Sequence, residues 1–403
     1  MPTVLDIGLR NVFRHPRRTL ITTATVAFGV AFMTVAAGFL DFTFWGLRQS
    51  IVYGGLGHLQ VLPVSLESRA RLGTDVAAHT RARLTADPAV ELVAGRLEVQ
   101  GLVSAGNHTL TFSGIGVEPE QESKVRAMMT LTAGEWFTGH ERGPRVLLGR
   151  GLAERLEAQL RDVLTVIAYS DQGRMSAADV QIAGIFESGV VEYDARTMLL
   201  PIATARELLE TDGFTALVAT VRNAGDAPMV ARDTAAWLGA ESSPARVQRW
   251  DELSPIYGSV VGLYEWILDV FLGIVTVVVV LGIANTMSMA VLERAPEIGV
   301  LRALGFGGGR IAAMFLCEAA AIGVLGAAAG AVVGLGACLG ISALGIDMPP
   351  PPGHSQGYVA AVHVVPAAFA AAAAIAITSA LIAGVGPSLR AVRQEVSDVL
   401  RAT

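Results

Sequence analysis

The chain has 403 residues, of which 52% are hydrophobic and 16% charged, with a formal net charge of −6 and a mean hydropathy of +0.51. Soluble domains carry about 25% charged residues, so this composition excludes an ordinary soluble globule and directs the search to membrane-spanning segments. The modest acidic balance argues against a nucleic-acid binder, and the only lysine, Lys124, stands in EPEQESKVRAMM, without the glycine-rich turn that a phosphate-cradling P-loop requires.

Residues 1–18 form a short amphipathic segment carrying Arg10, Arg14, Arg17 and Arg18. The apolar run that follows, Thr19 to Leu40 (TLITTATVAFGVAFMTVAAGFL), is long enough for a bilayer, which takes about 20 apolar residues. It exceeds the 7–15 residues of a signal-peptide core, so it predicts an uncleaved anchor. DFTFWGLRQS (41–50) can continue the same helix, giving a first span and stalk over 19–47.

Residues 48–255 read as one large folded α+β region. HLQVLPV (58–64), RVLLG (145–149), VLTVIAY (163–169), VQIAGIF (180–186), TMLLPI (197–202) and LVATVR (217–222) have strand character. GLAERLEAQL (151–160) and ATARELLETDG (203–213) read as helices, the second with Gly213 as its expected stop. In FESGVVEYDAR (186–196), Glu192 and Asp194 would share one strand face beside Glu187; a solvated strand edge is expected there, not a metal site.

A second span and stalk are predicted over 256–290. A helix over 256–289 would run about 51 Å against roughly 30 Å of hydrocarbon, so the part bearing Glu265 and Asp269 is expected to stand out of the bilayer. A third span covers 311–344, a connection 345–363 with MPPPPG (348–353) follows, a fourth span covers 364–386, and a tail runs 387–403. The predicted class is therefore an α-helical membrane protein with four transmembrane helices and a large α+β domain between helices 1 and 2. Arginine placement orients it: Arg294, Arg302 and Arg310 lie between spans two and three, and Arg390, Arg393 and Arg401 follow span four. The connection 345–363 has neither Lys nor Arg. Both termini and 291–310 are thus expected in the cytoplasm and the large domain outside.

Within the third span, Gly326, Gly330 and Gly334 recur every four residues, a spacing that lets helix backbones approach closely in lipid; packing inside one subunit and a subunit interface both remain open. Glu318 is the one acid inside a span, expected to pair with an arginine near the cytoplasmic interface; a proton relay would need a second intramembrane acid, and none is evident. Cys317 and Cys338 would lie about 30 Å apart on one helix, too far for a disulfide. Catalytic patterns are missing: His140-Glu141 is followed by Arg142, Gly143 and Pro144, and Asp41 and Asp269 stand at span ends.

The most ordered polar stretch is VLERAPEIGVLRALGF (291–306). Pro296 suits a first helical turn, Glu297 favours the positive end of the helix dipole, and Gly305 suits a stop. Ile298, Leu301 and Leu304 recur at i, i+3 and i+6 with Arg302 beside them. This predicts a short amphipathic helix, too short to stand alone, whose apolar stripe needs a partner.

ERAPEIGVLRALG followed by Arg310, Glu318 and a glycine-rich span resembles the signature of FtsX-type permeases. With one span, a large outer domain and three more spans, the chain is similar to the MacB and LolC/LolE-type permeases of mechanotransmission (type VII) ABC transporters. RNVFRHPRRTLIT (11–23), VLLGRGLAERL (146–156), VQIAGIFESG (180–189) and PSLRAVRQEVSDVLR (387–401) match recurring patterns of that family. The resemblance implies a MacB-like periplasmic core, with Porter-like ends and a Sabre-like insert at about 100–210. It also implies that 291–305 is the coupling helix, with Glu293, Arg294, Glu297, Ile298, Leu301, Arg302, Leu304 and Gly305 engaging a cytoplasmic ABC ATPase subunit present in two copies. A second permease subunit, identical or paralogous, would complete the complex in the bacterial inner membrane. No cofactor is expected on this chain; ATP and magnesium belong to the partner ATPase. The implied work is extraction of a lipoprotein or lipid, delivered to a periplasmic carrier. The alternatives are MacB-like efflux with a periplasmic adaptor and FtsX-like signalling to a periplasmic hydrolase. One departure is Arg161-Asp162 where the family often has Gly-Asp, which leaves the turn before 163–169 open.

Overall fold

The computed structural model describes residues 16–65, 70–121, 129–137, 143–350 and 355–393. Arg10, Arg14, Lys124, His140, Glu141, the prolines 351 and 352, and Arg401 lie outside them, as do the ends of the two terminal segments. Two compact units emerge, one of Gly46–Ser259 with Met348–Tyr358 and one holding the remaining described residues.

The smaller unit is helical. Among the described residues, four helices are long and apolar enough to cross a membrane: α1 (Pro16–Ile51), α8 (Pro255–Glu293), α10 (Gly308–Leu344) and α11 (Pro366–Arg393). Pro16 opens α1, where a missing N–H costs nothing, and Gly345 closes α10 in the left-handed region at φ +57. Val26, Ile283, Phe315, Ile322 and Ala380 pack this unit's core. Outward residues such as Phe28, Leu281, Val332 and Ile382 are large and apolar, the pattern expected where the surroundings are lipid.

The larger unit is built on one ten-stranded mixed sheet. Its strands are β1 (Leu59–Pro63), β2 (Val90–Ala105), β3 (His108–Val117), β4 (Thr130–Gly134), β5 (Arg145–Gly149), β6 (Val163–Tyr169), β7 (Met175–Glu187), β8 (Thr197–Pro201), β9 (Ala216–Val221) and β10 (Ala245–Arg249). The order is β10-β1-β9-β2-β3-β8-β5-β7-β4, with β6 closing against β2 and β7. β3–β8 and β5–β7 are parallel. The sixteen-residue β2 organises the sheet: its first part pairs with β9 and its later part with β3 and β6. Gly106 makes the tight β2–β3 turn at φ +55.

Two cores form along β2. Leu59, Val61, Leu84, Val93, Leu217, Val230 and Leu238 fill one, under α2 (Thr74–Thr85) and α6 (Ala227–Ala240). Leu97, Val99, Leu148, Leu152, Leu164, Val166 and Ile182 fill the other, with α3 (Arg150–Leu156) and α5 (Ile202–Leu209) against it; the single turn α7 (Trp250–Leu253) follows β10. Gly57 sits where the chain passes β9 so closely that a Cβ would come 2.4 Å from Val218 and 2.9 Å from the Ala219 carbonyl oxygen.

Every strand read from the sequence is present, but three helical or strand readings change. The helix expected over 151–160 stops at Leu156, where Glu157 takes φ +52 and the chain turns so that Ala158 enters the core. The helix expected over 203–213 stops at Leu209, not at Gly213: Glu210 takes φ +53, and the Leu209 carbonyl accepts from the Asp171 N–H at 3.0 Å. Residues Val191–Asp194 form a single helical turn, α4, not a strand edge. That turn buries Asp194, whose carboxylate accepts from the Ser188 N–H at 3.0 and 3.1 Å. Desolvation is the main cause raising the Asp194 pKa above the ordinary carboxylate value, partly offset by the hydrogen bonds from Ser188.

Candidate functional site

Between α8 and α10 lies α9, Ala295–Ala303. Arg294 is its N-cap residue, Pro296 falls in its first turn, and Leu304 is its C-cap. Gly305 follows at φ +88, a conformation that favours glycine. Its N–H donates to the Arg302 carbonyl at 2.9 Å, and the Phe306 N–H donates to Leu301 at 3.0 Å, closing the helix end. Arg310 lies over the Phe306 ring at 5.2 Å, which fixes the path into α10.

The helix divides its side chains in a way the i, i+3, i+6 stripe did not anticipate. Ile298 is 1% exposed, Leu304 is 72% exposed and Val300 is 58% exposed, while Leu301 and Arg302 are half-buried and Glu297 is exposed. At about 100° per residue, six positions rotate a helix by roughly 600°, so Ile298 and Leu304 cannot share a face. Arg294 and Ile298, four apart, turn inward together. Glu297, Val300 and Leu304 turn outward together. Val300 is the surface residue that the sequence reading missed; its offset of three from Glu297 and four from Leu304 was the signal.

Arg294 and Ile298, both assigned to the partner-facing set, are therefore interior. The reason for Arg294 is an ion pair: its Nη1 donates to Glu318 Oε2 of α10 at 3.0 Å, and each side chain is 4% exposed. Arg294 Nε and Nη2 are buried with no hydrogen-bond partner among the described residues. The neighbouring Glu293 is half exposed and accepts from Arg18 Nη1 of α1 at 2.7 Å. One turn deeper, the Thr22 and Thr286 hydroxyls meet at 2.9 Å, joining α1 to α8. Glu293 and Arg294 thus carry the end of α8 to two other helices.

The three glycines of the third span face α1. A Cβ on Gly326 would stand 2.5 Å from Val26 Cβ, one on Gly330 2.6 Å from the Ala27 carbonyl oxygen, and one on Gly334 2.2 Å from Thr34 Oγ1. Gly336 and Gly340 have nothing within 4 Å. The stripe is packed within this chain. Among the described residues, no group of His, Cys, Asp or Glu is arranged to hold a metal ion.

Two family models match the sequence. One, described as the FtsX-like permease C-terminal domain, covers 270–396 and so contains α9 and both ion pairs' α8 and α10 partners. The other, the MacB-like periplasmic core domain, covers 19–236, more than half of the chain. Among curated relatives, the lipoprotein-releasing system transmembrane protein LolC of Xylella fastidiosa is 24% identical over 263 residues, covering 64% of this chain and 63% of LolC. The ABC transporter permease YknZ of Bacillus subtilis, uncharacterised, is 24% identical over 227 residues, covering 55% of each chain. The lipoprotein-releasing protein LolE of Haemophilus influenzae is 23% identical over 262 residues, 63% of this chain and 62% of LolE. The matches thus span less than two thirds of these relatives' length. Of solved structures, the periplasmic region of MacB from Actinobacillus actinomycetemcomitans aligns with 49% of this chain and 91% of its own, at 9% identity and a TM-score of 0.36. The extracellular domain of YknZ aligns with 47% of this chain and 99% of its own, at 12% identity and a TM-score of 0.34.

Proposed function

Because this chain belongs to the FtsX-like ABC transporter permeases that carry a MacB-like periplasmic core domain, we propose that it is the membrane subunit through which a separate cytoplasmic ATPase drives movement of that domain. One observation carries the reading: α9 turns Glu297, Val300 and Leu304 outward while Ile298 and Arg294 hold it from within. A nine-residue helix with two large apolar side chains in the open is a ready contact for a second protein. The engine has to be another polypeptide or segment, since no P-loop occurs in these 403 residues. ATP and magnesium are bound there and not by this chain.

Arginine asymmetry supports an orientation with α9 in the cytoplasm and the large unit on the opposite side of the inner membrane. Two permease subunits, identical or paralogous, and two ATPases make up the assembly. The continuous helices α1 and α8 carry motion outward, and the cargo is handled at the outer leaflet. Similarity to LolC and LolE supports extraction of a lipoprotein or lipid as that cargo.

The test is affinity capture of the tagged chain from membranes of its own host. Wild type is expected to bring down an ABC ATPase, and Val300→Asp with Leu304→Asp to lose it while still inserting in the membrane. Undiminished capture by the double variant would overturn the assignment of α9. A lipidated protein in the wild-type eluate supports extraction; an adaptor or a soluble hydrolase in its place would replace that cargo reading with efflux or signalling.

A further inference from the structure

Resting on the reading of α9 as the ATPase contact, we propose that Arg294 is the pivot that fixes α9 to α10, with Glu318 as its anchor, so that displacement of α9 is delivered to the third span. The backbone of Arg294 belongs to two helices at once. Its N–H donates to the Ala290 carbonyl of α8 at 3.2 Å, and its own carbonyl accepts from the Ile298 N–H of α9 at 3.0 Å. Its φ of −102° and ψ of 15° lie outside the helical basin, so the chain bends there. The side chain then ties this bend to a third helix through Glu318. One residue therefore joins α8, α9 and α10.

The energetics point to positioning in preference to stability. A buried ion pair gives back little of what its desolvation costs, and this guanidinium leaves Nε and Nη2 without acceptors among the described residues. Apolar side chains of the same volume would hold the helices together without that cost. What they would not supply is one direction of attachment. The Arg294 Nη1–Glu318 Oε2 hydrogen bond is directional and favours one register between α9 and α10, a preference that non-directional apolar contact does not itself carry. Glu293, bonded to Arg18, is half exposed, so the link to α1 is the weaker of the two.

The experiment needs only the permease chain, so it decides the pivot whether or not an ATPase is captured. Cys317→Ala and Cys338→Ala remove the native thiols. Spin labels at Leu304→Cys and Leu325→Cys, both exposed, then report the α9–α10 distance in lipid nanodiscs. The wild-type background is expected to give one narrow distance. Arg294→Gln and Glu318→Gln should each replace it with a broad distribution, and Arg294→Lys, which keeps a charge able to reach Glu318, should restore it. Phe315→Leu, a change in the same buried bundle, should lower the melting temperature and leave the distance narrow. A narrow distance in both glutamine variants, or broadening by Phe315→Leu to the same extent, would overturn the proposal.

Discussion

Ile298 and Leu304 differ by six positions on one short helix and should differ in kind when removed. Ile298→Ala empties an interior site and is expected to cost about 2–5 kcal/mol, read as a lower melting temperature of the purified chain. Leu304→Ala removes a side chain that is 72% exposed and is expected to shift stability by no more than about 0.5 kcal/mol while weakening ATPase capture. Equal effects on stability would show that α9 does not divide its faces as described. Asp194 gives a pH prediction. Its folded-state pKa is raised, chiefly by desolvation, so between the unfolded value and the raised one the native state holds more protons than the unfolded state. This group's contribution to stability therefore falls as pH rises through that window and returns as pH drops. Compared with Asp194→Asn, the wild type is expected to gain melting temperature from neutral pH toward pH 4; a flat difference would mean that the Ser188 hydrogen bonds balance desolvation, and a loss toward pH 4 that they outweigh it.

At the scale of elements, the glycine stripe and the turn before β6 make opposite demands. Gly326 and Gly330 leave no room for a Cβ against α1, so Gly330→Leu is expected to force α1 from α10 and cost several kcal/mol, about the scale of severe overpacking. Gly336→Leu, on an open face of the same helix, should be tolerated, and thermal unfolding of the two variants separates these outcomes. Arg161 takes φ +71, with its N–H donating to the Ile182 carbonyl at 3.0 Å. A non-glycine residue in that region costs about 1–2 kcal/mol, so Arg161→Gly is expected to stabilise the large unit by up to about 1 kcal/mol once the added chain entropy is counted. The four apolar helices were legible because twenty apolar residues in a row have few other fates. The β2–β3 hairpin was not, because its strands carry Gly95, Gly101, Gly114 and Gly116, which lower strand propensity; cross-strand packing overrides that weakness.

At the scale of the whole molecule, the proposed permease is expected to move while another polypeptide supplies the energy. Purified alone in nanodiscs it is expected to hydrolyse no ATP, and turnover should appear only with the captured ATPase; transporter-like hydrolysis by the chain alone would overturn the division of labour. The four apolar helices, the large α+β insertion and the position of α9 were determined by the sequence itself, because hydrophobic run length and the Pro296–Gly305 bracket act locally. The tertiary structure alone decided which face of α9 turns outward, that the glycines pack on α1, and that Glu318 meets Arg294. Each of those depends on where a distant helix lies, and the partner in every case is many residues away: Glu318 from Arg294, Arg18 from Glu293, Val26 from Gly326. Burial then decides the chemistry, turning an arginine that reads as a surface charge into an interior tie.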